Sequence, residues 1–447
     1  MKKIAITFLV CFFFVSIKAQ EKKMSFSLKE AVNYAIKNSY NSQVAENDIR
    51  AAEKKVWETT TIGLPQIDGK VDYQNNLKQQ VSLLPAEIFG GNPGEFEEVA
   101  FGTKQNVNAA VTLRQLLFDG SYLVGLQASK TYLKISEQAN EKTDLLTREA
   151  VINAYGNVLV SEKSIEILES NKVILEKNFN DAKKIYENGF NEEEDVEQLE
   201  ITLGNLNNQL SSVKRMKGIA YQMLNLSLGN PIDTQLVLTD SLETLAEENM
   251  DLSLISESFD FSNHIDFRIA ENDRESQRLL MRLEQSKALP TLSAFVNYGA
   301  QANSESFSFL NSNQRWFDYS LLGVSLNIPI FSSLQRSSKT AQAKIELESA
   351  DIRLEETKQR LNLLAEKAKS EYQLSIENYQ TAKRNVGLSE RIENKQRIKF
   401  FEGISTSFDL LQAQNQLYSQ QQNYIQSMLD VIAKKAALEN ALNISIK

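Results

Sequence analysis

The feature that most constrains this fold is a short turn that occurs twice in the chain, with the two copies 214 residues apart. In each copy an Asp follows a Gly by six residues. A Gly can adopt the positive φ that ends a helix, and an Asp complements the positive N-terminal end of the next helix. A repeated helix–turn–helix predicts a duplicated protein. The pairs are Gly189 with Asp195, and Gly403 with Asp409.

The duplication continues outside the two turns. Residues 263–290 align with residues 38–65 without a gap, and Leu289-Pro290 repeats Leu64-Pro65. Each Leu-Pro is followed by a run in which apolar and polar residues alternate, which is the pattern of a strand. A second alternating run follows in each half. The sequence therefore predicts two strand hairpins of similar design.

These hairpins are predicted at 66–119 and 291–330, with a loop containing Gly and Pro at roughly 79–104. Four strands leave two open edges, whereas a sheet that spans a membrane needs at least about eight strands in closed form. Several copies must therefore share one sheet. Two chains would supply eight strands and three would supply twelve, and the sequence period does not choose between them.

Long helices connect the hairpins to the turns. Apolar residues repeat every seven positions, in steps of three and four, which predicts coiled-coil helices with left-handed supercoiling. The longest would extend roughly 100 Å at 1.5 Å per residue. The four predicted long helices are 121–188, 192–228, 332–402 and 405–442.

The N-terminus has the composition of a secretory signal. Lys2 and Lys3 precede an apolar run, and Cys11, the single cysteine, lies inside it. Removal of residues 1–19 takes away three lysines and no acid, so the net charge of −9 becomes −12. An acidic chain is a poor partner for nucleic acid, so no nucleic-acid partner is expected.

The sequence offers little for catalysis or metal binding. The chain has one histidine, His264, and no G-x-S-x-G, P-loop or G-x-G-x-x-G motif. We therefore expect no catalytic residue, no cofactor, no metal site and no enzyme activity. No later stretch approaches eighteen apolar residues, but barrel strands leave a weaker trace, so a membrane role stays open. Trp316, Phe317 and Tyr319, just before the predicted last strand, are candidates for an interfacial aromatic girdle.

Taken together, the motifs resemble the TolC-like outer-membrane efflux protein family. The resemblance rests on the double repeat, Leu-Pro before each first strand, Phe118-Asp119-Gly120 after the second strand, and the Gly-to-Asp turns. It implies a mainly α fold with a membrane β-barrel: a long coiled-coil α-barrel plus four strands per chain, internally duplicated and closed by trimerisation. It also implies the outer membrane of a Gram-negative bacterium, with a periplasmic helical extension.

The expected organisation follows the repeat. After the signal peptide at 1–19, residues 20–230 form a first structural repeat and residues 261–447 a second, joined by a linker segment at 231–260. The helix-hairpin tips are expected at 186–195 and 400–409.

The function that the resemblance implies is a trimeric exit duct of a tripartite efflux pump or a type I secretion system. Small molecules or proteins would pass through it passively. The implied partners are two further copies of the chain, a periplasmic adaptor protein, an inner-membrane pump of RND, MFS or ABC type, and outer-membrane lipid. A secreted periplasmic coiled-coil structural or adaptor protein without a pore is the alternative.

The resemblance also implies a gate at the hairpin tips. Asp195 and Asp409 match the family's gate aspartates. A second family aspartate falls at Gln412, an arginine of the gating network at Ser405, and a gate tyrosine at Phe400. The alternative is that these acids only stabilise helix N-termini, which Ser405 or Thr406 could also cap. Further negative charge is available from Glu192, Glu193 and Glu194, and the turns expected to contact the adaptor contain Gly189 and Gly403.

Overall fold

The computed structural model describes residues 24–190 and 192–444, so the predicted signal peptide lies outside the described residues. Internal contacts group the chain into two compact units, and each unit takes segments from both halves of the sequence. We call the first the helical unit; it comprises the described residues of 1–46, 140–264 and 360–447. We call the second the sheet unit; it comprises 47–139 and 265–359.

The four long helices follow the predicted ones to within a few residues at each end. Their bounds are α1 Leu28–Asn38, α2 Tyr40–Thr61, α3 Gly120–Glu187, α4 Glu193–Leu228, α5 Leu242–Glu248, α6 Ile265–Ser286, α7 Gln335–Phe401 and α8 Ser407–Ala441. None of the helices in the described residues is both long enough and apolar enough to cross a membrane.

The strands form one main sheet and two small ones. Their bounds are β1 Met24–Phe26, β2 Gln66–Asn75, β3 Val81–Pro85, β4 Phe96–Ala100, β5 Gln105–Phe118, β6 Leu236–Leu238, β7 Thr291–Ser304 and β8 Trp316–Asn327. The main sheet has the order β2-β5-β7-β8 with every pair antiparallel, so the hairpins of the two halves lie side by side. β2 and β8 are its edges. β1 pairs in parallel with β6.

Two expectations about this region are wrong. The predicted loop at 79–104 contains a short hairpin, because β3 pairs antiparallel with β4. Trp316, Phe317 and Tyr319 do not precede the last strand but belong to β8, where Trp316 lies opposite Ala302 of β7. Aromatic residues have high strand propensity, so extending the strand through them is physically reasonable.

The register of the main sheet places apolar residues of all four strands on one face. Val111 of β5 lies opposite Tyr298 of β7, and Val296 lies opposite Leu322 of β8. These side chains are exposed, with Leu322 at 74%. An exposed apolar face of this extent marks a surface that contacts lipid or protein rather than water.

The opposite face of the sheet is more polar and is joined by side-chain contacts across strands. Arg114 pairs with Asp68 at 2.9 Å, and the Tyr319 hydroxyl donates to Asn108 Oδ1 at 2.9 Å. The two faces therefore differ in character, as expected of strands with one apolar and one polar side.

Two sequence motifs meet where the sheet joins the helices. Asp119 Oδ1 accepts from the backbone N–H of Ser121 at 2.6 Å, so the Asp of Phe118-Asp119-Gly120 caps α3. A Cβ on Gly120 would lie 2.7 Å from Leu289 Cδ1, the Leu of the second Leu-Pro. The two motifs are therefore in contact, with the leucine side chain occupying the space beside the glycine.

The helical unit contains two apolar clusters. The larger surrounds Tyr155, which is fully buried and whose hydroxyl donates to Phe26 O and lies 3.0 Å from Asp240 Oδ2. The smaller lies near the tips and uses the predicted seven-residue rows, including Leu175 of α3 and Leu199 of α4. These rows stabilise the long helices by burying a continuous stripe.

Candidate functional site: the helix-hairpin tips

Both tips end their first helix with the same backbone turn. Gly189 has φ of 80° and Gly403 has φ of 72°, in the left-handed region. The N–H after each Gly bonds to the carbonyl five residues earlier: Phe190 to Ile185 at 3.1 Å, and Ile404 to Lys399 at 2.8 Å. This is a Schellman motif, which explains the glycine in both copies.

The second tip starts its outgoing helix with a full capping box. Thr406 is the N-cap of α8, and its Oγ1 accepts from the Asp409 N–H at 3.3 Å. Asp409 Oδ2 in return accepts from the Thr406 N–H at 3.2 Å and from its hydroxyl at 2.9 Å. Of the two predicted caps, Thr406 is the correct one. The Asp409 carboxylate is therefore used within its own turn.

The first tip starts its outgoing helix without a side-chain cap. Glu192 is the N-cap of α4 and makes no capping hydrogen bond. Glu193, Glu194 and Asp195 all lie in the first turn of α4. Glu192, Glu193 and Glu194 are exposed, and Asp195 is half-buried. Four carboxylates at one helix N-terminus provide a concentrated negative field facing water.

The other predicted tip residues lie in three different environments. Phe400 is 4% exposed, packs in the smaller cluster and contacts the Phe401 ring at 5.2 Å between centroids. Ser405 is half-buried, and its hydroxyl donates to Gln396 O at 3.5 Å. Gln412 is exposed on the second turn of α8. Their roles in a gate stay predictions.

The structure adds a link between the two hairpins that the sequence did not indicate. The Ser407 hydroxyl of α8 donates to Gln198 Oε1 of α4 at 3.0 Å. A serine and a glutamine separated by 209 residues carry no pattern that would pair them. This hydrogen bond holds the starts of the two outgoing helices together.

A buried carboxylate above the second tip was also missed. Glu393 of α7 is 8% exposed, and burial raises its pKa above the usual value, opposed by the charge of Arg397, whose Nε lies 3.7 Å away. Burial and the charge of Glu393 raise the pKa of Tyr418 on α8 to about 12. The signal was present: Glu393 lies on the seven-residue row of Tyr379 and Phe400, both buried.

The fold and the tips together define a class. The chain combines an antiparallel sheet with an exposed apolar face, long helices with seven-residue rows, and two glycine turns that lead into acidic helix starts. These are the parts of an outer-membrane channel protein with a helical extension.

The comparison with protein families identifies which one. The model of the outer membrane efflux protein family matches residues 31–230 and 261–443, and the chain belongs to this family. The family is one of outer-membrane channels and not of enzymes, and its location is the Gram-negative outer membrane, with a periplasmic helical extension. No curated protein sequence matches the chain.

Solved structures share the fold at low sequence identity. The outer membrane protein VceC from Vibrio cholerae is 15% identical with a TM-score of 0.70, over 93% of this chain and 95% of that chain. The Campylobacter jejuni CmeC outer membrane channel is 16% identical with a TM-score of 0.70, over 93% and 85%. CusC, described for its transmembrane channel formation, is 15% identical with a TM-score of 0.73, over 93% and 92%.

Proposed function

We propose that three copies of this chain form the exit duct of a tripartite efflux pump or a type I secretion system. The observation that carries the proposal is the main sheet, whose apolar face is exposed and whose edge strands β2 and β8 lack partners within the described chain. Exposed backbone groups are costly in lipid, so each edge needs a neighbouring strand. Pairing β2 of one copy with β8 of the next closes twelve strands in a trimer.

The tips are proposed as the periplasmic entrance. Acids of the first tip and Asp409 of the second would surround the threefold axis and attract cations. The duct itself would be passive and would not couple transport to an energy source. Energy would come from an inner-membrane pump of RND, MFS or ABC type.

A periplasmic adaptor is the partner proposed for the turns around Gly189 and Gly403. Large apolar side chains are exposed beside these turns: Phe190 at 82%, Ile404 at 70% and Phe408 at 63%. Exposed aromatic and aliphatic side chains at a helix-hairpin tip fit a partner helix that covers them.

Trimer closure can be tested by cross-linking. The single cysteine lies in the predicted signal peptide, so cysteines introduced at Val71 of β2 and Leu322 of β8 would be the only ones in the mature chain. A flexible bis-maleimide should link the double variant into covalent trimers in isolated outer membranes. Each single-cysteine variant should yield no trimer. A double variant that stays monomeric would contradict the β2–β8 closure.

The duct can be tested in planar bilayers. The purified mature protein should conduct ions, and changing Asp195 and Asp409 to Ala should raise conductance if the tips restrict the entrance. No conductance from either protein would favour the alternative, a periplasmic coiled-coil protein without a pore. Cell fractionation separates the two: heat-modifiable oligomers in the outer membrane support the duct, and a soluble periplasmic rod supports the alternative.

A further inference from the structure

The helical unit contains a partly open cavity far from the tips. Its volume is about 500 Å³, within the range of small-molecule sites, and α1, α3, α5 and α8 contribute to its walls. One wall is apolar and buried, formed by side chains of the larger cluster. Its members include Val32, Ile152, Ile432 and Ala436.

The cavity also carries an excess of negative charge. Five carboxylates and three cationic side chains line it. Two of the cations pair with the same acid, Glu439. Arg148, which is 5% exposed, forms an ion pair with it, and Lys435 Nζ lies 3.9 Å from its Oε1. Of the other carboxylates, Asp240 accepts from the Leu28 N–H at 2.7 Å, and Lys29 is the third cation.

Asp144 of α3 is another carboxylate of the lining. It is half-buried, and burial together with the charge of Glu141 raises its pKa. Arg148 follows it by one helical turn on α3 but is turned to Glu439, and Asp144 forms no ion pair within the described part of the chain. A cation entering the cavity would lower the energy of an ionised Asp144.

The same wall offers one hydrogen-bond donor without an acceptor. Arg148 Nε–H is buried and has no partner among the described residues. Because the charge of the guanidinium is already balanced by Glu439, a neutral acceptor oxygen suits this donor better than a second anion. A buried donor of this kind calls for a partner.

From these observations we infer that the cavity is a binding site for an amphiphilic organic amine. The apolar body of the ligand packs against Val32, Ile152 and Ile432, and its ammonium group lies beside Asp144. An anion is disfavoured by the excess of carboxylates, and a bare metal ion by the apolar wall. This site does not depend on the proposed duct.

Dansylcadaverine is a suitable probe, because it joins an apolar fluorophore and sulfonyl oxygens to a primary amine. Fluorescence titration of the purified full-length mature chain in amphipol should show saturable binding. The uncharged N-acetyl derivative has the same apolar body, and its affinity should be lower by about tenfold or more. Absence of saturable binding, or equal binding of the two compounds, would overturn the inference.

Two variants locate the site. Asp144→Asn keeps the shape but removes the charge, so the dissociation constant should rise about tenfold or more. Asp181→Asn removes an Asp from the same helix outside the cavity and should bind like the unchanged chain. Ala436→Met places a larger side chain in the cavity and should block binding.

The proposal would be contradicted if Asp144→Asn bound the amine as tightly as the unchanged chain. It would also be contradicted if Ala436→Met kept binding with an unchanged thermal midpoint. Bilayer conductance is measured on the same preparations. Conductance without amine binding would overturn this site alone, and amine binding without conductance would overturn the duct alone.

Discussion

The two hairpin tips have the same backbone turn, but they differ in how the N-terminus of the next helix is capped. With the glycines superposed, Thr406 of the second tip corresponds to Glu192 of the first, and Asp409 corresponds to Asp195. The second tip uses a Thr–Asp capping box, whereas the first has an N-cap without a side-chain hydrogen bond and three acids in its first turn.

The difference shows how one residue type can serve two purposes. Asp409 satisfies backbone and hydroxyl donors of its own turn, so its carboxylate is partly used for stability. At the first tip, Glu192, Glu193 and Glu194 are exposed to water, although Glu194 also accepts from Gln198 Nε2 at 3.0 Å. A matched aspartate in two copies of a repeat is therefore not proof of a matched role.

A second contrast lies about one heptad before the end of the helix that leads into each tip. Glu393 of the second hairpin corresponds to Phe179 of the first, which packs against the smaller apolar cluster. One hairpin has a half-buried aromatic ring at this position, and the other buries a carboxyl group whose pKa is raised. The stability of the second hairpin therefore depends on the protonation of Glu393.

The largest expected effect concerns ion selectivity. Changing Glu192, Glu193 and Glu194 to Gln together with Asp195 to Asn should lower the cation-to-anion permeability ratio about threefold or more, since a focused negative field is removed. Asp409→Asn should change the ratio much less. Reversal potentials in asymmetric salt measure both. Equal effects of the two variants would mean that the tips do not differ in available charge.

The glycine turns should respond alike in the two tips. Gly189→Ala and Gly403→Ala force a Cβ into the left-handed region and should each lower the free energy of unfolding by about 1–2 kcal/mol. Apart from the chain neighbours, no heavy atom of the described residues lies within 4 Å of a Cβ placed on either glycine, so steric clash adds nothing. Denaturant unfolding followed by circular dichroism measures the change.

The same substitution at Gly204 provides the control. Gly204 lies on an exposed face of α4, and Ala there should stabilise the protein by up to about 1 kcal/mol. A loss of stability at Gly204, or no loss at either tip glycine, would contradict the left-handed turn as the reason for glycine.

The capping difference should appear as an asymmetry between the tips. Thr406→Ala should cost about 1 kcal/mol, because a cap bond is lost, while Glu192→Ala should cost almost nothing. Glu192→Thr should create the missing cap, since Asp195 already stands three residues later, and should gain up to about 1 kcal/mol. The same unfolding measurement applies. If Glu192→Thr does not raise the free energy of unfolding, the first turn of α4 cannot form the capping box.

The smallest effect is expected for Glu393 and depends on pH. Its pKa in the folded protein is raised from 4.5, so the folded state binds the proton more tightly than the unfolded state. Stability therefore falls as pH rises from about 4.5 through the raised pKa. Glu393→Gln should flatten this dependence and raise stability at pH 7. An unchanged pH profile would show that the burial of Glu393 is compensated.

The sequence predicted those parts of the fold that depend on short-range patterns. Seven-residue rows such as Leu168 and Leu175 give the long helices, because the same stripe must be buried on every second turn. The tip glycines gave the turns, since few other residues accept positive φ. Resemblance to the family added the channel.

The remaining features depend on partners distant in sequence. The parallel pairing of Met24 with Leu236 joins segments too short to show any period. The β3–β4 hairpin was missed because it is interrupted by a helical turn at Ala86–Phe89 and a Gly-rich segment. Whether an acid at a tip forms a capping box depends on the residue three positions earlier. The match to the family aligned the aspartates alone and did not include that residue.

The open edges of the main sheet also have a consequence for the cell. A row of backbone donors and acceptors will pair with the first extended segment that reaches it. In the proposed trimer, each newly made chain therefore passes through an interval in which misassembly competes with pairing to sister copies. Unpaired strand edges are aggregation-prone, so the yield of the proposed trimer would depend on how soon they are paired as well as on thermodynamic stability.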